Sequence, residues 1–383
     1  MTTVSEKQIP LLDLKAQHKT IREQVLAELT RVVDSQKFIL GDEVKKFEAE
    51  IAAYCGTKFA VGCASGSDAL ILALMALDIG PGDEVLTTPY TFFATAGAIS
   101  RVGAAPIFVD VEKDTFNLDA GQMKDALAAH PKVRAIMPVH LFGGCADMDP
   151  IMKIADDRGI PVIEDAAQAI GAEYKGRRAG GIGRIGAFSF FPSKNLGGYG
   201  DGGMMTTDDG SLADRLAALR VHGRTGKYFH QWIGVNSRLD ALQAAVLAVK
   251  FRYLDAWTVG RQKNADRYRA QLAKLPAGVI TPQPRDYQTR HVYNQFSIRS
   301  PRRDELQAHL KNSGIGSEVY YPLPLHLQPC YAGLGYKKGD FPVSERLAEE
   351  SLALPIHSEL VSEDIDYVCD AIGSFYGCGS SRS

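Results

Sequence analysis

Two stretches decide how this chain is read: Pro161-Val-Ile-Glu-Asp165-Ala-Ala-Gln168 and Ala187-Phe-Ser189-Phe-Phe-Pro-Ser-Lys194-Asn195. The second runs past Leu196 into the glycine-rich Gly-Gly-Tyr-Gly-Asp-Gly-Gly203. The apolar runs at 161–163 and 187–191 have the length of buried strands, and each delivers a polar group as it ends, Asp165 in one case and Lys194 in the other. Open parallel sheets hold their working residues at such strand ends.

Outward from this centre, strand-like and helix-like runs alternate. Residues 84–88, 106–111, 133–141 and 204–207 read as strands, and 69–77, 92–101, 122–129, 148–158 and 211–222 as helices. Few hairpin signals interrupt them, so the spacing predicts an α/β fold whose mostly parallel sheet is covered by helices on both faces. Two amphipathic helices precede it, the first carrying Ile21, Val25 and Leu29, the second Val44, Phe47 and Ile51. A single long helix over 239–275 reads as a bridge between domains, followed by a proline- and arginine-rich linker at 276–290. The remainder mixes strands (292–298, 317–321) with helices (304–312, 344–352, 363–375), as in a small α+β domain. The expected division is a large domain with its N-terminal helices over 1–255, and a small C-terminal domain over 256–383 that includes the bridging helix and a mobile tail. A chain of 383 residues is long enough for two cores.

A formal charge of −2 argues against a general nucleic-acid or membrane binder. The six cysteines show no CxxC pair and no metal spacing with histidine, so they read as reduced packing residues, and no metal site is expected. The first residues lack the apolar core of a signal peptide, and the longest apolar run, Ala69 to Leu77, is far too short to span a bilayer. The expectation is a cytoplasmic protein. GxGxxG spacing occurs twice, at Gly181, Gly183 and Gly186 and at Gly198, Gly200 and Gly203. Each match runs into a strand rather than opening a helix, which disfavours a dinucleotide site.

Upstream, Ser65-Gly66-Ser67 leads directly into the helix at 69–77. Free backbone N–H groups and the helix dipole at such a start can hold a phosphate, although taken alone a plain N-cap at Ser65 or Ser67 is the favoured account. Alone, Asp165 could be a cap and Lys194 a solvated lysine. Together, a carboxylate, an amine and an anion site are the three fixtures that pyridoxal 5'-phosphate requires: a partner for its ring nitrogen, an amine for its aldehyde and a cradle for its phosphate. An aromatic at Phe92, after the strand at 84–88, could stack on a flat ring.

These residues are recognisable as a set. Asp165-Ala-Ala-Gln168, Phe-Ser189-Phe-Phe-Pro-Ser-Lys194-Asn-Leu-Gly, Gly-Asp-Gly-Gly203 and Gly234-Val-Asn236-Ser-Arg238-Leu-Asp240 resemble the fold-type I, pyridoxal phosphate-dependent nucleotide-sugar aminotransferases of the DegT/DnrJ/StrS family, from about Ile9 to Ile372. The resemblance implies a homodimer with shared active sites, L-glutamate as amino donor and a nucleotide-linked keto sugar as acceptor. It implies Lys194 as the Schiff-base lysine, Asp165 at the pyridine nitrogen, Gln168 at the ring hydroxyl and Phe92 on the ring face. Gly66, Ser67 and Ser189 would hold the phosphate with Asn236 of the other subunit, and Arg238, also from that subunit, would face the sugar. His326 and Tyr320 are further sugar-side candidates. A sister branch with histidine at the lysine position dehydrates sugars instead, so Lys194 favours transamination. The segment from Tyr320 to Gln328 is similar to members acting on 3-keto sugars, including a 3-keto uronic acid, more than to those acting at C4. The rival expectations are a cofactor-binding regulatory protein without turnover and a nucleotide-dependent oxidoreductase.

Overall fold

The structure, a computed structural model, describes residues 7–275 and 278–377. The chain opens with α1 (Leu14–Ser35) and α2 (Asp42–Cys55), then alternates through β1 (Phe59–Cys63), α3 (Gly66–Ala76), β2 (Glu84–Thr87), α4 (Ala94–Arg101), β3 (Ala105–Phe108), α5 (Ala120–Ala129), β4 (Val133–Ile136), α6 (Met148–Asp156) and β5 (Ile163–Asp165). A small hairpin, β6 (Glu173–Tyr174) and β7 (Arg177–Arg178), precedes β8 (Ile185–Ser189), β9 (Gly203–Thr207) and α7 (Gly210–Leu219).

Hydrogen-bonded pairs give the orders β1-β9-β8-β5 and β3-β2-β4. Single parallel bridges, Ile136 to Val162 and Val139 to Asp165, connect β4 to β5, so one sheet runs β3-β2-β4-β5-β8-β9-β1. Within it β9 alone is antiparallel to its neighbours, and the other pairings are parallel. Side chains alternate across it with the period of two that a pleated strand imposes. Leu86, Ile136, Phe188 and Met204 pack on one face against α2, α5 and α6. Val85, Ala135, Ala187 and Met205 pack on the other against α3, α4 and α7. Both faces are therefore covered, as the alternation of elements predicts.

The C-terminal half comprises α8 (Ala241–Phe251), α9 (Leu254–Leu272), β10 (Phe296–Arg299), α10 (Arg303–Asn312), α11 (Pro342–Glu350), β11 (Ser351–Leu354) and α12 (Ser362–Phe375). Antiparallel β10 and β11 share a separate core with α9, α10 and α12, and Ile9 from the N-terminal segment joins it.

Three expectations change. The helix predicted as continuous over 239–275 breaks at Arg252 and Tyr253, where the Tyr253 N–H donates to Lys250 O, three residues back rather than four. Tyr253 stacks on Trp257, and its hydroxyl accepts from Gln24 of α1, so a tertiary contact sets the bend while apolar periodicity continues on either side. The helix expected over 344–352 stops at Glu350, and Ser351–Leu354 turns into β11 because β10 lies alongside to pair with it. Residues 317–321 form no strand. They meet β11 through one bridge, Glu318 to Ala353, and bend at Tyr320. The part of the tail from residue 378 onward, with Cys378, lies outside the described residues.

Candidate active site

The ends of β2, β5 and β8 and the start of α3 surround a cavity of about 350 Å³. Asp165 closes β5 and is buried in its wall. Its Oδ2 accepts from Thr95 Oγ1 at 2.8 Å and its Oδ1 from the Ala167 N–H at 3.3 Å. No cationic side chain pairs with it directly among the described residues. Burial pushes its carboxyl above the usual range, against the opposing pull of the Thr95 hydroxyl. Lys194 follows β8 on a turn closed by its own N–H to Phe191 O at 2.9 Å. Burial lowers its ammonium to about 8, with the Asp165 charge opposing. The amine therefore loses its proton far more easily than a solvated lysine does, which a nucleophile requires.

Ser65 caps α3 by accepting the Asp68 N–H at 3.1 Å, so the N-cap expectation holds for that serine. Gly66 and Ser67 begin the helix at the cavity wall beside Ser189. The glycine is required there, since a Cβ on Gly66 would stand 2.5 Å from Ser189 Cβ. A comparably close approach occurs at Gly203, where a Cβ would meet Ser65 O at 2.3 Å. The first glycine cluster serves Glu164, which is buried next to Asp165 and accepts from the N–H groups of Gly180, Ile182 and Gly183 and from His140 Nε2. Neither GxGxxG match has the strand-to-helix setting of a dinucleotide site.

Of the residues singled out from sequence, Gly66, Ser67, Phe92, Asp165, Gln168, Ser189, Lys194 and Tyr320 line this one cavity. Gln168 is fixed at both ends, its Oε1 accepting from Phe142 N–H at 2.7 Å and its Nε2 donating to Tyr321 OH at 3.1 Å. Phe92 is 56% exposed beside Tyr321. Asn236 and Arg238 lie outside the cavity of their own chain, and Asn236 is exposed and bridged to Val221. His326 requires a correction as a sugar contact. It is 1% exposed, its Nε2 is 3.0 Å from Glu345 Oε1, and it packs edge-on against Phe341, so it braces the interior instead. Thr91, Thr95, Gln295 and Tyr321 line the cavity without having been singled out. The four-residue spacing of the two threonines after β2 was a usable signal. Gln295 arrives from the far half of the chain and carries none, and Tyr321 lay in the segment from Tyr320 to Gln328 without being distinguished within it.

The model of the DegT/DnrJ/EryC1/StrS aminotransferase family matches residues 19–373. The chain belongs to this aminotransferase family. It is 51% identical over 369 residues to the "Pleiotropic regulatory protein" of Geobacillus stearothermophilus, covering 96% of this chain and 98% of the relative. It is 45% identical over 365 residues to the dTDP-3-amino-3,4,6-trideoxy-alpha-D-glucose transaminase of Streptomyces venezuelae, covering 95% of each. The crystal structure of S. venezuelae DesV with a ketimine intermediate superposes with a TM-score of 0.93 at 45% identity, covering 97% of this chain and 99% of that one.

This aminotransferase uses pyridoxal phosphate, and the residues present fit it. The cavity offers an amine of lowered basicity, a buried carboxylate awaiting a cation, and a helix start with Ser67 and Ser189 hydroxyls for a phosphate.

Proposed function

We propose that this aminotransferase moves an amino group from L-glutamate to a nucleotide-linked keto sugar at C3, with a 3-keto uronic acid among the sugars it accepts, giving an amino sugar for polysaccharide, O-antigen or glycoside synthesis. The observation that carries this reading is Lys194 and Asp165 facing one cavity in a chain 45% identical to a sugar 3-transaminase.

When bound, pyridoxal phosphate supplies the electron sink that acidifies the donor's α C–H and carries nitrogen between the two substrates. Lys194 Nζ would hold the cofactor at its aldehyde and, when free, would move the proton of the donor's α-carbon. Asp165 keeps a proton on the ring nitrogen, oriented by Thr95. Gln168 meets the ring hydroxyl, Phe92 covers the ring face, and Gly66, Ser67 and Ser189 hold the phosphate. In a homodimer, Asn236 of the partner subunit completes the phosphate site and Arg238 of the partner subunit faces the sugar. Tyr320 takes the sugar side in its own chain. Residues 1–255 act as the cofactor-binding domain and 256–383 as the small domain, in keeping with the separate core around β10 and β11. The five cysteines among the described residues are free thiols, as suits a cytoplasmic setting, and no helix among those residues is long and apolar enough to cross a membrane.

A panel of nucleotide-linked 3-keto and 4-keto sugars assayed with glutamate tests the reading. Turnover is expected on 3-keto sugars, and turnover confined to 4-keto sugars would overturn the C3 assignment. Arg238→Ala should cost a uronic acid substrate about tenfold or more beyond its effect on a neutral sugar, as expected for a lost charge-assisted contact. Equal losses would remove that role. The name of the Geobacillus relative favours a second reading, a regulatory protein that keeps the cofactor without turnover. Under that reading the cofactor's absorbance stays unchanged when glutamate is added.

A further inference from the structure

Outside the Lys194 cavity, the charge least accounted for is Arg261 on α9, which is 4% exposed. Its Nη1 donates to the carbonyl oxygens of Tyr293, at 2.9 Å, and of Ile356. Among the described residues no carboxylate forms an ion pair with it. Glu359 acts on it only at longer range, and acts likewise on Lys250, which is 3% exposed and donates to Gly197 O. Two buried cations thus look to one carboxylate. An interior guanidinium without a close counter-ion is costly, and three backbone carbonyls offset only part of that cost.

This guanidinium lines a cavity of about 60 Å³ with Leu12, Ser193, Asn294, Gln295 and Tyr320. Ser193, Gln295 and Tyr320 also line the Lys194 cavity, so the two spaces share a wall beside the reactive amine. At roughly the volume of two waters the space suits a carboxylate and excludes a sugar ring.

We propose that Arg261 binds the side-chain carboxylate of the amino donor and so selects glutamate-type dicarboxylic donors over neutral amino acids. This rests on the aminotransferase reading above. The donor's α-carboxylate is one bond from the reacting carbon and stays in the larger cavity. The side-chain carboxylate stands two methylenes away, and the smaller cavity, which shares Ser193, Gln295 and Tyr320 with the larger, would receive it.

The test uses the holoenzyme and follows the change in cofactor absorbance when glutamate or alanine is added. Calorimetric titration with glutarate, which carries both carboxylates but no amine, provides a readout independent of turnover. The wild type should prefer glutamate. Arg261→Lys should lower the glutamate-to-alanine ratio of kcat/KM about 100-fold, the scale of one partner lost from a buried charged contact, and abolish glutarate binding. Leu12→Glu, which supplies a rival carboxylate and removes nothing that Arg261 bonds, should do the same without a folding defect. An unchanged ratio in both variants, or a wild type that treats the two donors alike, overturns the proposal. A wild-type holoenzyme that reacts with no amino donor overturns the aminotransferase reading, and the proposal with it.

Discussion

Lys194 shows how a single residue sets stability against chemistry. Its ammonium sits at about 8 in the fold against 10.5 in an unfolded chain. Between those values the unfolded state binds more protons, so the stability of the cofactor-free protein rises as pH climbs from about 8 towards 10.5; below about 8 the buried charge penalises the fold in full. The amine opens onto the cavity, and solvent reduces the penalty to about 1–2 kcal/mol. Lys194→Met should therefore abolish transamination yet make the cofactor-free protein more stable by about that amount at pH 7, the gain vanishing above about pH 10. Urea unfolding of both proteins across that range checks it. A variant less stable at pH 7, or a difference that ignores pH, would mean that Lys194 is not desolvated. Lys194 and Asp165 were legible in the sequence because each ends a short apolar run, and a polar residue at a strand end is conspicuous. Thr95 was legible only as half of the Thr91 and Thr95 pair four residues apart, and its 2.8 Å approach to Asp165 is what reveals that it orients the carboxylate.

At the scale of elements, the junction of α3 with β8 shapes the cavity wall where the cofactor's phosphate is proposed to sit. Ser65 caps the helix, and Gly66 lets Ser189 come close enough for both elements to face the same cavity. Gly66→Ala would drive a methyl to within 2.5 Å of Ser189 Cβ and part the two elements. The expected result is a protein destabilised by about 1–3 kcal/mol, typical of overpacking, whose affinity for pyridoxal phosphate falls about tenfold or more. Absorbance titration of the cofactor-free protein measures this, and unchanged affinity would free Gly66 from the phosphate site. Elements were legible wherever periodicity decides them, as in the alternation that builds the large sheet. They were not legible where a partner distant in sequence decides. The Tyr253 bend depends on Trp257 and on Gln24 of α1, and Ser351–Leu354 becomes a strand rather than a last helical turn only because β10 pairs with it. The antiparallel direction of β9 is likewise set by its neighbours and not by its own composition.

For the whole molecule, the informative fact is which named residues the single chain fails to bring together. Asn236 and Arg238 stand outside the cavity that collects Lys194, Asp165 and the start of α3. Asn236 is exposed, so a second copy of the chain can present it to a neighbouring site, and an isologous dimer makes that exchange reciprocal. On the shared-site dimer proposed above, Lys194→Ala removes the amine from a site in its own chain, whereas Asn236→Asp would set a carboxylate against the phosphate of the partner's site, so each variant alone should be inactive. Coexpressed, they form heterodimers in which one site is doubly damaged while the other draws Lys194 from one chain and Asn236 from its partner, both intact. Random pairing makes half the dimers heterodimeric with one working site in two, so activity should return to about a quarter of the wild-type level. Activity assayed on the purified heterodimer, with each chain carrying a different tag, decides the matter, and there about half the wild-type level is expected, one working site in two. No recovery above the single variants would place Asn236 in the service of its own chain, and the site would then have to close by a rearrangement within one subunit.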